Sequence, residues 1–432
     1  MIKLKTFGSF TVGNGLTSVQ EGAWRSEKLE KLFVYLAMNR NRSVCIEDIS
    51  EAIWQVEEET DNPVGALKNL AYRLRKALRD ASFGEECIVS VQAPEKYTTI
   101  KEAMEKALDG KATLLYAQGS NIWRNHKLQK NGELGKSIAW GDEVKMKNEA
   151  LKIAKEADVI ICAMGETADM SGECASRTNL EMPDVQQELL AELAKTGKPV
   201  VLLNFAGRPT VLSWEKEHIP AIMNVWFGGS EVGDALCDVI FGDKSPSGKL
   251  TTSMPKTTGQ EPLYYNHQNT GRPVADDNEK FAKFASNCLD VSNGPLYPFG
   301  YGLSYTYFSY SNFRLSSQEA GISNEEATEW QDGKKITASV TVKNNGSRDA
   351  DEIVQLYIRD MVASISRPVK ELKGFQRIHL AVGESKEVSF DITPDMLKFY
   401  NADLKHVIEP GDFQIMIGTN SKDVKTLKLN VK

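Results

Sequence analysis

The hydrophobic positions between residues 97 and 308 alternate between short apolar runs and longer amphipathic stretches. The runs are rich in β-branched residues and bounded by polar residues or Gly, which is typical of buried strands. They predict strands at residues 113–117, 159–164, 199–205 and 221–227. The stretches predict helices at residues 100–108 and 148–157, after Pro183 as far as Thr196-Gly197, and after Gly228-Gly229. Repeated strand–helix units predict an α/β fold with a mostly parallel sheet covered on both faces.

From residue 309 onwards the hydrophobic period changes to two. A polar stretch at residues 316–335 indicates a linker or a long loop. Turn signals such as Asn344-Asn345-Gly346 separate the apolar segments that follow. Alternating strands with such turns predict an antiparallel β-sandwich over residues 309–432. Its predicted strands are at residues 336–342, 353–359, 387–392, 413–417 and 427–431.

Residues 1–92 have a third pattern, in which strands at the start precede three predicted helices and one further strand. Helices are predicted at residues 24–39 and 46–54 and after Asp61-Asn62-Pro63. In the third helix the leucines face one side and basic residues gather beside them. Strands, three helices and a final hairpin form the layout of a winged helix.

The segments FGSFTV, WRSEKLEKLFVYLA, IEDISEAIW and ALKNLAYRLRKAL resemble the DNA-binding domain of bacterial regulators of the OmpR and antibiotic-regulator type. The resemblance implies that the third helix enters the major groove of DNA. The alternative is that its charges form the solvated face of an amphipathic helix. The second strand of the wing is missing after Val91-Gln92, so the predicted domain is truncated. The implied DNA contacts are Lys68, Arg73, Arg75, Lys76 and Arg79.

A net charge of −7 argues against nucleic-acid binding by the molecule as a whole, though not by one part of it. The six cysteines are scattered and form no CxxC pair, and with five dispersed histidines they give no zinc spacing. We therefore expect reduced cysteines, no metal site and no cofactor. The sequence has neither a signal peptide nor an apolar run long enough to span a membrane, which predicts a cytoplasmic chain with no membrane partner.

A long polar loop follows the predicted strand at residues 159–164 and continues to Pro183. Open α/β sheets bind ligands at the carboxyl ends of their strands, so this loop is the candidate site. It carries Glu166, Asp169, Glu173 and Arg177. The pattern alone leaves open whether Glu173 is a catalytic acid or a solvated loop residue.

The segments GETADMSGECASRTNLEMPDVQQELL, GKPVVLLNFAGRP, AIMNVWFGGSEVGDALCDVIFGDKSPSGKL and PLYPFGYGLSYTYF resemble the C-terminal α/β sandwich of family 3 glycoside hydrolases, bacterial β-glucosidases above all. The resemblance covers residues 97–308. The segment PVKELKGFQRIHLAVGESKEVSFDI resembles the fibronectin type III-like domain that commonly ends these enzymes. The implied role of that domain is to brace the catalytic domains.

The resemblance implies retaining hydrolysis of terminal β-D-glucosyl residues, with a β-glucoside or oligosaccharide as substrate. It places the general acid/base on Glu173, with Glu166 as second choice. Ser171 and Arg177 flank it as candidate substrate contacts, although an arginine more often anchors its loop. The family's aspartate nucleophile lies on a (β/α)₈ barrel, which needs about 200 residues or more. No Asp-Trp dipeptide occurs, and no segment has room for a barrel, so the nucleophile is expected to be absent.

Three interpretations follow from the sequence. The first is a β-glucosidase-type glycosidase that is inactive alone, because it has only the acid/base half of the site. The second is a regulator that joins a DNA-binding module to a sugar-binding sandwich. The third is a non-functional chimeric gene product, joined near Gln92. Family relatives are often periplasmic or secreted, whereas this chain shows no export signal.

Overall fold

The structure is a computed structural model, and it describes residues 98–125, 140–167, 170–173, 175–317, 328–330 and 335–432, with short segments before residue 98. The chain forms two compact units, Met1–Tyr97 and Thr98–Lys432.

In the first unit, the described strands β1 (Lys3–Lys5), β2 (Thr11–Gly13) and β3 (Ser18–Val19) form one antiparallel sheet. The structure also describes some helical residues in the segments predicted as helices. Four of them are buried: Leu32, Phe33, Leu70 and Leu74. The rest of the predicted winged helix, including its strand near residue 90, lies outside the described residues.

Strand β5 (Val200–Phe205) lies at the centre of the parallel sheet in the second unit. It pairs with β4 (Ile160–Gly165) on one side and with β6 (Ala221–Asn224) on the other. The helices described in this region are α1 (Ile100–Leu108), α2 (Glu143–Glu156), α3 (Asp184–Ala194), α4 (Ser213–His218) and α5 (Val232–Ile240).

Two consecutive residues of β5 belong to two different hydrophobic clusters. Leu202 packs with residues of α2 and α3, including Ala154 and Leu190. Leu203 packs with Met104 of α1 and Leu236 of α5. Successive side chains of a strand point to opposite faces of the sheet, so helices cover both faces. Each fully buried leucine contributes about 1.5–3 kcal/mol. The predicted α/β architecture is confirmed.

Local capping explains where the first two helices begin. Thr99 and Glu102 form a capping box that starts α1 at the predicted position. Helix α2 begins at Glu143, five residues before the predicted 148, because the Asp142 carboxylate accepts a hydrogen bond from Lys145 N at 2.8 Å. The spacing of apolar residues alone does not reveal that first turn.

Two predicted strands differ from the structure. Residues 113–117 pair with no strand among the described residues, and Leu115 and Tyr116 are exposed. The apolar run therefore lacks the buried environment that a central strand needs. Strand β6 ends at Asn224 rather than at residue 227, because the chain leaves the sheet and Trp226 adopts a left-handed conformation with φ 57°.

The C-terminal part of the second unit is an antiparallel sandwich, as predicted. The described strands are β7 (Phe308–Ser317), β8 (Thr328–Trp330), β9 (Ile336–Asn344), β10 (Ala350–Asp360), β11 (Glu371–Leu380), β12 (Ser385–Ile392), β13 (Phe399–Tyr400), β14 (His406–Val407), β15 (Gly411–Gly418) and β16 (Val424–Val431). The two sheets have the strand orders β11-β10-β15-β16-β8 and β12-β9-β7. The alternate residues Ile336, Ala338, Val340 and Val342 of β9 are fully buried in the core between the sheets.

Strands β7 and β11 are absent from the sequence prediction. Each lies at the end of a sheet. Few residues of β11 are buried, and in β7 a register shift near Asn312, which has φ 52°, interrupts the alternation of apolar and polar residues. The polar stretch at residues 316–335 contains β8, which pairs with β16 in parallel. In the part of the chain that the structure describes, no helix combines the length and apolar character needed to cross a bilayer.

Candidate active site

The candidate site lies where β4 and β5 end, at the same edge of the parallel sheet. Gly165, the last residue of β4, has φ 126°, and a Cβ placed on it would lie 2.0 Å from Phe205 O. Only glycine allows this approach. The next residue continues the contact, because Glu166 N donates to Phe205 O at 2.6 Å. The loop after β4 is thereby fixed to the end of β5.

Glu166 is buried, and both of its carboxylate oxygens accept hydrogen bonds. Arg177 Nη1 donates to Glu166 Oε1 at 2.7 Å, and Gly207 N donates to Glu166 Oε2 at 3.1 Å. Arg208 Nε lies 3.1 Å from Oε1 and 3.3 Å from Oε2. The Glu166 side chain is 1% exposed. Two guanidinium groups and a backbone amide therefore compensate a carboxylate that solvent does not reach.

Arg177 also anchors its own loop. Its Nη2 donates to Glu181 O at 2.8 Å, and its guanidinium carbon lies 5.3 Å from the centre of the Trp123 ring. The side chain is 9% exposed. The sequence named Arg177 as a candidate substrate contact, with anchoring as the alternative, and every contact seen here is an anchoring one.

Arg208 follows β5 and holds the loop at two points. Its Nη2 donates to Met170 O and, at 2.7 Å, to Ala175 O. These carbonyls stand on either side of the segment that contains Ser171 and Glu173. Sequence reasoning missed Arg208, although an arginine in the segment FAGRP, directly after a buried strand, is a usable signal.

Glu173 lies in a turn and is exposed, and its side chain makes no hydrogen bond or ion pair with the described residues. Ser171 is half-buried beside Gly207, where a Cβ on Gly207 would lie 1.9 Å from Ser171 Oγ. The structure thus brings Glu166 and Arg177 together and leaves Glu173 facing solvent on the same loop. Asp169 lies outside the described residues.

A cleft of about 970 Å³ opens beside this loop. Its walls combine the Trp123 and Arg177 side chains with polar groups from the loop and from the start of α3, including Asn179, Glu181 and Asp184. An aromatic face next to hydrogen-bonding groups is suited to a polar organic ligand.

The comparison with known families decides the identity of this region. Residues 53–305, more than half of the chain, match the sequence model of the glycosyl hydrolase family 3 C-terminal domain. The chain belongs to glycosyl hydrolase family 3. Residues 352–421 match the fibronectin type III-like domain. The family 3 match begins inside residues 1–92, the range for which the sequence predicts a winged helix.

Among curated relatives, the chain is 44% identical over 330 residues to the periplasmic beta-glucosidase of Salmonella typhimurium, covering 76% of this chain and 42% of that protein. It is 36% identical to a beta-xylosidase of Formosa agariphila over 78% of this chain and 42% of that protein. It thus spans less than half the length of these relatives. The solved structure of the beta-glucosidase from Listeria innocua in complex with glucose is 37% identical, with a TM-score of 0.60, over 66% of this chain and 38% of that one.

No cluster of three or more His, Cys, Asp or Glu side chains within the described ranges is arranged to hold a metal ion. Of the predicted DNA contacts, Arg73 is an exposed helical residue, and its neighbour Leu74 is buried. Lys68, Arg75, Lys76 and Arg79 lie outside the described residues.

Proposed function

We propose that this chain provides the acid/base half of a β-glucosidase-type active site, with Glu173 as the proton donor to terminal β-D-glucosides. One observation carries the choice between the two candidate glutamates. Both oxygens of Glu166 are held by donors and its side chain is 1% exposed, whereas Glu173 is exposed on the same loop. Only an accessible carboxyl can approach a glycosidic oxygen.

The proposed reaction needs two carboxyl groups about 5 Å apart. One attacks the anomeric carbon and forms a glycosyl-enzyme intermediate, while Glu173 gives its proton to the departing glycosidic oxygen. Glu173 then takes a proton from water as that water attacks the anomeric carbon and releases the sugar. The first carboxylate is expected from a barrel domain, as in the family that the sequence resembles. We therefore propose that the 432-residue chain alone does not hydrolyse β-glucosides.

The test uses aryl β-glucosides with the purified chain, first alone and then with a separately produced barrel domain of a family 3 β-glucosidase. We expect no turnover alone, and turnover with the barrel that Glu173→Gln lowers by about 10²–10⁴-fold, the usual contribution of general acid–base catalysis. The loss should be smaller for a dinitrophenyl glucoside, because a good leaving group needs little protonation. The control Glu192→Gln changes another glutamate on the protein surface, in α3.

Turnover by the chain alone that depends on Glu173 would contradict the proposed inactivity. Equal turnover by the Glu173→Gln and Glu192→Gln forms of the complemented enzyme would remove Glu173 from the mechanism. Replacing the aryl β-glucoside by an aryl β-xyloside tests the sugar, since one relative is named a beta-xylosidase. A preference for the xyloside would overturn the β-glucoside assignment.

A second candidate function is a DNA-binding regulator with a sugar-binding sandwich. The observation that favours it is the exposure of Arg73 on a helix whose Leu70 and Leu74 are buried. A gel-shift experiment with random duplex DNA at low salt tests this function. Phosphate contacts give binding that weakens steeply as salt rises, and Arg73→Ala should reduce it more than Arg314→Ala in the β-sandwich does. The absence of a shift at low salt would refute the DNA-binding function.

A further inference from the structure

The loop that carries Glu173 is closed at its base by a side chain from outside the loop. Met170 O and Ala175 O both accept hydrogen bonds from Nη2 of Arg208, which follows β5. Two internal bonds complete the base, because Met170 N donates to Thr167 O at 3.0 Å and Ala175 N donates to Gly172 O at 3.2 Å. One guanidinium therefore joins the two stems of a short polar turn.

The same guanidinium is fixed in turn by Glu166. Arg208 Nε lies 3.1 Å from Glu166 Oε1, and the backbone amide of the preceding residue, Gly207, donates to Glu166 Oε2 at 3.1 Å. Glu166 itself is held by Arg177. The Arg208 side chain is 20% exposed, so most of its contacts are made inside the protein. Its position is thus set by residues that directly follow the paired strands β4 and β5.

We propose that Arg208 is a positioning residue for the acid/base loop, which orients Glu173 by holding both stems of its turn against the end of β5. This inference rests on the proposed function for the role of Glu173, whereas the restraint on the loop is a property of the chain itself. The carboxylate of Glu166 holds the Arg208 guanidinium in place. Gly207 contributes space, because any side chain there would collide with Ser171.

The chemistry of the guanidinium explains the choice of arginine. Arginine presents five N–H donors in a fixed planar fork, so that one group reaches a carboxylate with Nε and two carbonyls with Nη2. Lysine keeps the positive charge but concentrates it on one flexible ammonium. Arg208→Lys should therefore keep the ion pair with Glu166 and lose the bridge between Met170 O and Ala175 O.

Hydrogen exchange of the full chain, followed by mass spectrometry over residues 166–182, measures this restraint. In Arg208→Lys we expect the Met170 and Ala175 amides to exchange roughly tenfold faster, with the amides of β4 and β5 unchanged. In Arg208→Ala, guanidinium ion far below denaturing concentrations should slow that exchange again, because it refills the vacated site. The matched control is Arg348→Ala, since Arg348 Nη1 donates to Gly242 O at 3.0 Å elsewhere in the unit.

Unchanged exchange at Met170 and Ala175 in Arg208→Lys would overturn the proposal. Faster exchange spread evenly over β4, β5 and the loop would also overturn it, because Arg208 would then support the whole domain. Slower exchange of Arg208→Ala in guanidinium would support a local positioning role, provided that Arg348→Ala exchanges at the unmodified rate with and without guanidinium. None of these measurements needs turnover. A result in the glucoside assay that removes Glu173 from the mechanism is therefore distinguishable from a result that removes the positioning role of Arg208.

Discussion

Lys249 Nζ lies 3.1 Å from Glu352 Oε1, and this ion pair joins the loop after α5 to strand β10 of the sandwich. The side chains are 10% and 3% exposed. Tyr310 donates its hydroxyl to Glu352 Oε1 at 3.1 Å, and Lys249 Nζ donates to Gly302 O at 3.0 Å. A compensated, buried pair therefore fixes the fibronectin type III-like domain to the α/β domain.

Removing one partner of this pair should destabilise the protein strongly. Lys249→Met leaves the Glu352 carboxylate buried without its cation, and we expect the free energy of unfolding to fall by about 3–5 kcal/mol. The double variant Lys249→Met/Glu352→Leu removes both charges and should recover much of that loss. Urea denaturation measures both. Additive losses in the double variant would contradict the coupling.

Gly165 should tolerate no side chain. Gly165→Ala adds a methyl group 2.0 Å from Phe205 O at φ 126°, whereas Gly172→Ala has nearly the same φ, 127°, and nothing within 4 Å. Because the two positions share this φ, the difference between the variants reports the collision. We expect Gly165→Ala to lose about 1–3 kcal/mol more than Gly172→Ala in thermal or urea unfolding. Equal losses would show that the strands can separate at no cost.

The two loop glutamates should differ in stability as well as in activity. Glu166→Gln leaves Arg177 and Arg208 without their buried carboxylate, so the expected loss is about 3–5 kcal/mol. Glu173→Gln changes an exposed side chain, and the expected effect lies within about 0.5 kcal/mol. Chemical denaturation of the two variants in parallel gives the comparison. A large loss in Glu173→Gln would mean that Glu173 supports the fold.

Glu215 in α4 should make stability depend on pH. Its side chain is buried, and burial, with a smaller repulsion from Glu181, raises the pKa of its carboxyl above the unfolded value of about 4.3. A raised pKa in the folded state gives a contribution that is present below the unfolded pKa and lost as the pH rises through the folded pKa. Glu215→Gln removes this loss. The variant should therefore gain stability relative to the unmodified chain as the pH rises above the unfolded pKa.

Urea unfolding at several pH values above the unfolded pKa tests the prediction for Glu215. A stability difference between Glu215→Gln and the unmodified chain that does not change with pH would contradict it. The control Glu217→Gln, an exposed residue of the same helix, should show no such trend.

Tyr357 carries a polar group into the junction between the domains. Its hydroxyl donates to Gln355 Oε1 at 2.5 Å, and Gln355 Nε2 donates to Gly300 O at 3.0 Å and Thr419 O at 2.7 Å. Tyr357→Phe leaves the amide oxygen of Gln355 without this donor, and we expect a loss of about 1–3 kcal/mol. Thermal unfolding measures it. A loss well below about 1 kcal/mol would contradict the prediction that Gln355 Oε1 needs this donor.

The periodicity of the sequence determines most of the architecture. Apolar runs such as that of β5 fix strands buried on both faces, and period-two alternation fixes β9, because each pattern fits only one kind of packed surface. Strand β11 escapes prediction because it buries little, and β7 escapes it because the irregularity at Asn312 interrupts its alternation. The apolar run at residues 113–117 misleads for the opposite reason: its composition favours a strand, and no described strand pairs with it.

Local patterns of residue type are enough to predict the family, the polar loop after β4 and the glutamates on that loop. Only the tertiary structure separated Glu166 from Glu173. The Glu166 carboxylate is buried by contacts with Arg177 and Arg208, which lie 11 and 42 positions away from it along the chain. Such contacts form only when β4 and β5 lie side by side. The spacing of residues along the chain therefore does not show which of the two glutamates is buried.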